Sequence, residues 1–175
     1  MKTQIVKLFT MSLILLIIIS GCGKKEEYTP VAINEDTDKC EVCNMAIKDD
    51  QFATQIILEN GKAIVFDDLG CMYKWMKENE EKKIAKSYVK DYQSKEWLEA
   101  DMAFFVYDKP TKTPMAYNVI AFSTEEDAQK FITENDGKLL TSDELDNHSW
   151  ERNEEMMKEM KEMMKSGMDH SKDSH

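Results

Sequence analysis

Between residues 52 and 79 the spacing of apolar positions changes from a period near two to one near 3.6. Residues 52–58 and 63–66 read as strands, joined by Glu59-Asn60-Gly61-Lys62. Asn and Gly both tolerate positive φ, so this linker predicts a tight hairpin. Met72, Trp75 and Met76 then fall at i, i+3 and i+4, one stripe of a helix. The pattern recurs further on. Residues 103–107 and 117–122 read as strands around a longer loop holding Pro110 and Pro114, and Ala128, Phe131 and Ile132 form the second stripe.

The two stretches align on each other without gaps. Residues 66–79 match residues 122–135, with identities at Phe66/Phe122, Lys74/Lys130, Glu78/Glu134 and Asn79/Asn135. A Phe closes each strand pattern, and the Asp or Ser beside it can cap a helix; Ser123 with Glu126 fits a capping box. Residues 87–92 and 138–141 add a strand after each helix. The expectation is an α+β domain of two repeated ββαβ units over residues 40–145.

Residues 142–166 lack Gly and Pro and are rich in Glu, Lys and Met, which favour helix. Met156, Met157, Met160, Met163 and Met164 lie on one face of this expected helix, in a Met/His-rich tail spanning 146–175. At the other end, Lys2 and Lys7 precede an unbroken apolar run over residues 13–19. Ile19-Ser20-Gly21-Cys22 then matches a bacterial lipobox. Residues 1–21 therefore read as a lipoprotein signal peptide, with an ordinary membrane anchor as the alternative. Cys22 would carry the lipid, palmitate among its chains, and residues 22–39 are polar enough to serve as a tether. The expected location is the extracytoplasmic face of the cell membrane.

Without the signal, 21 Lys and Arg face 34 Asp and Glu, a net charge of −13. Such a surface repels phosphate backbones and argues against nucleic-acid binding. Lipidation of Cys22 leaves Cys40, Cys43 and Cys71, an odd number for an oxidising compartment, which invites a reactive thiol or a metal ligand.

Cys40-Glu-Val-Cys43-Asn-Met45 concentrates soft donors. A C-x-x-C pair alone fits a zinc half-site, a redox dithiol or a disulfide. Thiolate with thioether selects Cu(I), since zinc hardly uses thioether. In an extended segment, Cys43 and Met45 would share one face. Cys71 sits where a helix should begin, a position that lowers a thiol pKa. Met115, between Pro114 and Ala116, is a further candidate donor, whereas Met72 fits core packing. All three histidines, His148, His170 and His175, lie in the tail, as do six of the thirteen methionines within the last 20 positions. Met156, Met160, Met163, His170 and His175 are therefore secondary candidates for a copper-collecting arm. Residues 23–147 hold no His, which removes Cys–His catalytic pairs from the globular part, and no phosphate loop or H-E-x-x-H motif occurs.

The lipobox, Cys40-x-x-Cys43-x-Met45, Val-Phe-Asp-Asp-Leu-Gly after the hairpin, the Pro114-Met115 loop and the segment from Ala121 to Phe131 together resemble the NosL family. The resemblance implies a copper-binding lipoprotein that delivers Cu(I) during assembly of nitrous oxide reductase in denitrification. It also implies a fold of paired ββαβ units, similar to part of the organomercurial lyase MerB. The family's C-x-M falls on Cys43 and Met45, its loop methionine on Met115, and its preceding cysteine on Cys40. Asn44, Ala116 and the Met/His tail depart from the family pattern. The recipient could then be another cuproenzyme, and a copper ABC transporter is a candidate partner. The expected protein is a metallochaperone rather than an enzyme. Alternatives are a thiol-disulfide oxidoreductase using Cys40 and Cys43, a lyase of the MerB kind, and a copper buffer or sensor that does not transfer metal.

Overall fold

The computed structural model describes residues 27–170. The expected signal peptide, Cys22 and His175 lie outside the described residues, as do the side chains of Met164 and His170. Two antiparallel sheets form the body. The first comprises β1 (Thr54–Leu58), β2 (Ala63–Phe66), β3 (Ile84–Lys90) and β4 (Trp97–Glu99), in the order β2-β1-β3-β4. The second comprises β5 (Phe104–Tyr107), β6 (Val119–Phe122) and β7 (Lys138–Leu140), in the order β6-β5-β7. Helix α1 (Leu69–Glu78) connects β2 to β3, and α2 (Glu125–Asn135) connects β6 to β7. Beyond β7 come a short α3 (Ser142–Asp146) and α4 (Glu154–His170). Among the described residues, no helix is long and apolar enough to cross a membrane.

The hairpin forms where Asn60-Gly61 predicts it, with Gly61 at φ 80° and Thr54 paired to Phe66 at its open end. All five residues of β1 are buried, including Gln55. Polar Gln55 is tolerated there because the chain N-terminal to the domain lies across that face. The Gln55 side chain accepts from the Val31 amide at 2.9 Å and donates to the Val31 carbonyl at 3.1 Å. The Tyr88 hydroxyl donates to the Tyr28 carbonyl at 2.5 Å, and Ile33 packs on the core. Residues 28–33, expected within the tether, are thus attached to the body. The amide bonds to Gln55 satisfy a buried side chain that β-sheet partners cannot reach.

The main core gathers Ile56, Phe66 and Val89 of the first sheet and Leu69, Met72 and Trp75 of α1 with Met115, Tyr117 and Val119 from the loop before β6 and from β6 itself. A smaller cluster of Val106, Ile120, Phe122 and Ala128 lies under α2. The sheets meet at one parallel bridge between Asp91 and Ala121. There Tyr92 donates to the Ala121 carbonyl at 2.8 Å, and the Asp91 carboxylate accepts from the Ser123 amide at 2.7 Å.

Three local expectations are corrected. Helix α2 is capped by Thr124, whose hydroxyl accepts from the Asp127 amide, because Ser123 is drawn to Asp91 instead. Strand β4 and the 3-10 turn at Ala100–Met102 were not expected; three residues are too few to show a period. The helix expected over 142–166 is broken between Asp146 and Glu154, where Trp150 turns into the left-handed region at φ 50° and buries its ring.

Gly70 of α1 sits hard against Tyr117, in the segment that leads into β6. A β-carbon there would lie 2.2 Å from Cδ2 of the Tyr117 ring, which is itself wholly buried. Gly70→Ala is expected to lower unfolding stability by about 1–3 kcal/mol through overpacking. Urea denaturation checks this, and an unchanged midpoint would contradict the packing described.

Candidate metal centre

The thiols are brought together by two elements. One is the corner between β2 and α1. Phe66 ends the strand, Asp67 follows, and Asp68 caps α1 by accepting from the Gly70 amide at 3.1 Å. Cys71 therefore emerges from the first turn of α1, with its own amide on the Asp68 carbonyl at 3.0 Å. The other element is a tight turn over residues 40–45. The Cys40 amide donates to the Met45 carbonyl and the Asn44 amide to the Cys40 carbonyl, each at 2.9 Å. Asn44 takes φ 59°, a conformation that Asn adopts more readily than most residues. The Glu41 amide donates to the Val65 carbonyl at 3.2 Å, which fastens the turn beside β2.

This turn corrects the expectation of an extended C-x-M segment. Its outcome is a cluster of one sulfur each from Cys40, Cys43 and Cys71 with a carboxylate oxygen of Asp67, all within 4.8 Å of one another. Cys40, Asp67 and Cys71 are buried and Cys43 is half-buried. All three cysteines are free thiols. The Cys43 sulfur donates to Oδ2 of Asp67 at 3.1 Å, and Oδ1 of Asp67 is buried without a hydrogen-bond partner.

Sequence reasoning missed Asp67. The Asp67-Asp68 doublet reads as helix capping, yet one carboxylate suffices to cap and the second needs another reason. Met115 is buried in the same apolar cluster as Cys40 and Cys71, and its amide donates to Oδ2 of Asp68 at 2.9 Å. Met45 stands outside, 48% exposed.

The tail candidates separate. Met156 is buried, with its sulfur accepting from Nδ2 of Asn118 at 3.4 Å. Met157 and Met160 are half-buried, and Met163 is exposed. His148 packs against Trp150 with ring centroids 4.7 Å apart and takes its place in an aromatic stack.

Negative charge is scarce among the thiols. Cys71 donates to Cys40, which holds the Cys40 thiol well below the usual range, at about 4. Donating that bond pushes the Cys71 thiol up, and burial pushes Cys43 to about 12. The lowered thiol is thus Cys40, whereas Cys71, at the helix N-terminus, is raised. Burial raises Asp67 and Asp68 to about 6 each. A soft cation entering here would displace protons from Cys43 and Cys71, and sulfur would supply most of its coordination.

The fold and this cluster define an α+β domain with a thiol-rich centre suited to a soft metal ion. The chain belongs to the NosL family, whose sequence profile matches residues 30–150. The match ends at residue 150, so α4 lies outside it. A curated relative, the copper-binding lipoprotein NosL of Stutzerimonas stutzeri, is 29% identical over 141 residues, 73% of this chain and 74% of the relative. Among solved structures, the copper chaperone NosL from Shewanella denitrificans superposes with a TM-score of 0.60 at 22% identity. That superposition covers 67% of this chain and 96% of the other, and the likeness is one of fold.

Asp68→Asn is expected to cost about 1–3 kcal/mol, since an amide must turn its NH₂ toward either the Gly70 or the Met115 donor. Chemical denaturation of the reduced protein reads the loss. Asp67 has a native pKa raised to about 6, so the stability it contributes is complete below about pH 4 and is lost as pH rises through 6. Thermal melts should therefore show Asp67→Asn gaining on the wild type between those pH values. A constant difference across the window would count against a buried Asp67 with a raised pKa.

Proposed function

We propose that this protein is a lipid-anchored, extracytoplasmic Cu(I)-binding protein that receives copper and delivers it to a cuproenzyme such as nitrous oxide reductase. The observation that carries the reading is the meeting of Cys40, Cys43 and Cys71 around Asp67 within 4.8 Å. Membership of the NosL family supports copper as the metal, and three sulfurs favour the monovalent ion. In this reading residues 1–21 are removed, Cys22 carries the lipid, and the body is a pair of ββαβ units. The common placement of the first strand of each unit, β1 and β5, at the centre of its sheet supports that repeat.

Cys43 is the entry thiol, with Cys40 and Cys71 as inner donors and Met115 as a thioether donor. Met45 joins from the exposed side by movement of its side chain. Delivery is ligand exchange: sulfur or imidazole of the recipient replaces these donors one at a time. The methionine face of α4, through Met157, Met160 and Met163, collects Cu(I) more weakly. A second reading, thiol-disulfide exchange, is favoured by one feature, the thiolate at Cys40 with two further thiols in reach. Copper-independent turnover in a disulfide-reduction assay would support it over the first.

Anaerobic competition against a Cu(I) chelator tests the main proposal. One tightly held Cu(I) per chain is expected, lost in Cys43→Ser and weakened at least about tenfold in Cys40→Ser, Cys71→Ser or Met115→Leu. Joint replacement of Met157, Met160 and Met163 by Leu should remove only weakly bound metal. Unaltered affinity in all three cysteine variants would defeat the assignment.

A further inference from the structure

We infer that the segment from Trp150 to Met156 is a clamp that fixes the Met115 loop, making Asn153 and Trp150 positioning residues for the metal centre. The inference rests on the reading of Met115 as a sulfur donor.

The loop between β5 and β6 adopts a conformation its own residues disfavour. Ala116 and Asn118 both take left-handed backbones, at φ 59° and 61°. Asn tolerates this backbone better than most residues, but at Ala116 it is strained and persists only where the surroundings over-determine it. Some restraint is internal. Oγ1 of Thr113 accepts from the Tyr117 and Asn118 amides at 3.1 and 3.2 Å. Nδ2 of Asn118 also reaches the Thr111 carbonyl at 2.7 Å. On the core side Asp68 takes the Met115 amide.

The remaining restraint comes from the chain after residue 149. The Asn153 amide donates to the Ala116 carbonyl at 2.8 Å, directly on one of the left-handed residues. Nδ2 of Asn118, the other, donates to the Met156 sulfur at 3.4 Å. The Asn153 side chain donates to the Lys109 carbonyl at 3.3 Å, near the start of the loop. Trp150 closes the assembly, edge-on to Tyr117 at 6.1 Å and stacked on Tyr73 of α1 at 4.7 Å. Tyr117 directly follows the strained Ala116, so the indole bears on the same loop. Trp150 itself reaches this place through a left-handed backbone at φ 50°.

One residue joins the two functions. Oδ1 of Asn153 accepts from the Met156 amide at 3.2 Å, which makes Asn153 the N-cap of α4 while its own amide holds Ala116. The first turn of α4 and the shape of the Met115 loop are therefore formed together. Met156, although part of the methionine stripe, has its sulfur engaged by Asn118 and serves as an anchor; it is not a free donor.

A double-mutant cycle in the full chain tests the clamp, with Cu(I) dissociation constants from anaerobic chelator competition. Asn153→Ala removes the cap, and Trp150→Leu leaves the cap but removes the stack. Each should weaken Cu(I) binding about tenfold. Asn153→Ser, which keeps a capping oxygen, should restore most of the loss. In a Met115→Leu background both effects should shrink below about twofold, because the donor they position is gone. Full, additive losses in that background would overturn the clamp while leaving Met115 a ligand, as would wild-type affinity in both single variants. Should Met115→Leu alone leave the dissociation constant unchanged, the Met115 reading itself fails and takes the clamp with it.

Discussion

The carboxylate of Asp68 is almost wholly buried, and each of its oxygens receives an amide from a different element of the protein. Oδ1 takes the Gly70 amide at the head of α1, and Oδ2 takes the Met115 amide from the loop between β5 and β6. Such bonds to a charged acceptor are worth about 1.5–3 kcal/mol each, but desolvation opposes them. Burial raises Asp68 to about 6, so the ion is held at neutral pH against part of that penalty. Much of the centre's geometry follows from this one group. It starts α1, which sets Cys71 in the first turn, and it anchors the Met115 loop beside that turn. The glycine two residues later lets Tyr117 close against the helix, a contact that a β-carbon at Gly70 would forbid.

What the sequence discloses is local. The Asn60-Gly61 hairpin, the stripes at Met72/Trp75 and Ala128/Phe131, and the clustering of sulfur around residues 40–45 are each set by neighbouring positions, and each is legible. What it hides is set by partners distant along the chain. Residues 28–33, within a stretch that reads as tether, are held by Gln55, which is 24 positions from Val31. Ser123 looks like a cap until Asp91 claims its amide. Trp150 breaks an apparently continuous helix because the space between Tyr73 and Tyr117 takes its indole. Asp67 was hidden for a related reason. Its neighbour explains the doublet, and only the folded turn over residues 40–45 brings Cys43 onto it.

The siting of the thiolate follows the same logic. A helix N-terminus favours a thiolate at Cys71, and the sequence alone supports that expectation. In the fold the dipole competes with a neighbouring thiol at close range. Cys71 donates to Cys40, which lowers the acceptor and raises the donor. Burial, and then the Cys40 sulfur beside it, raise Asp67 to about 6.

Exposure within the centre gives it a direction. Met45 is 48% exposed and Cys43 is half-buried, whereas Cys40 and Cys71 are 2% and 0% exposed. An ion arriving from solvent would meet Cys43 before the inner thiols. Cys43 is also the thiol whose proton lies against a carboxylate, so Asp67 can accept that proton as sulfur takes the metal.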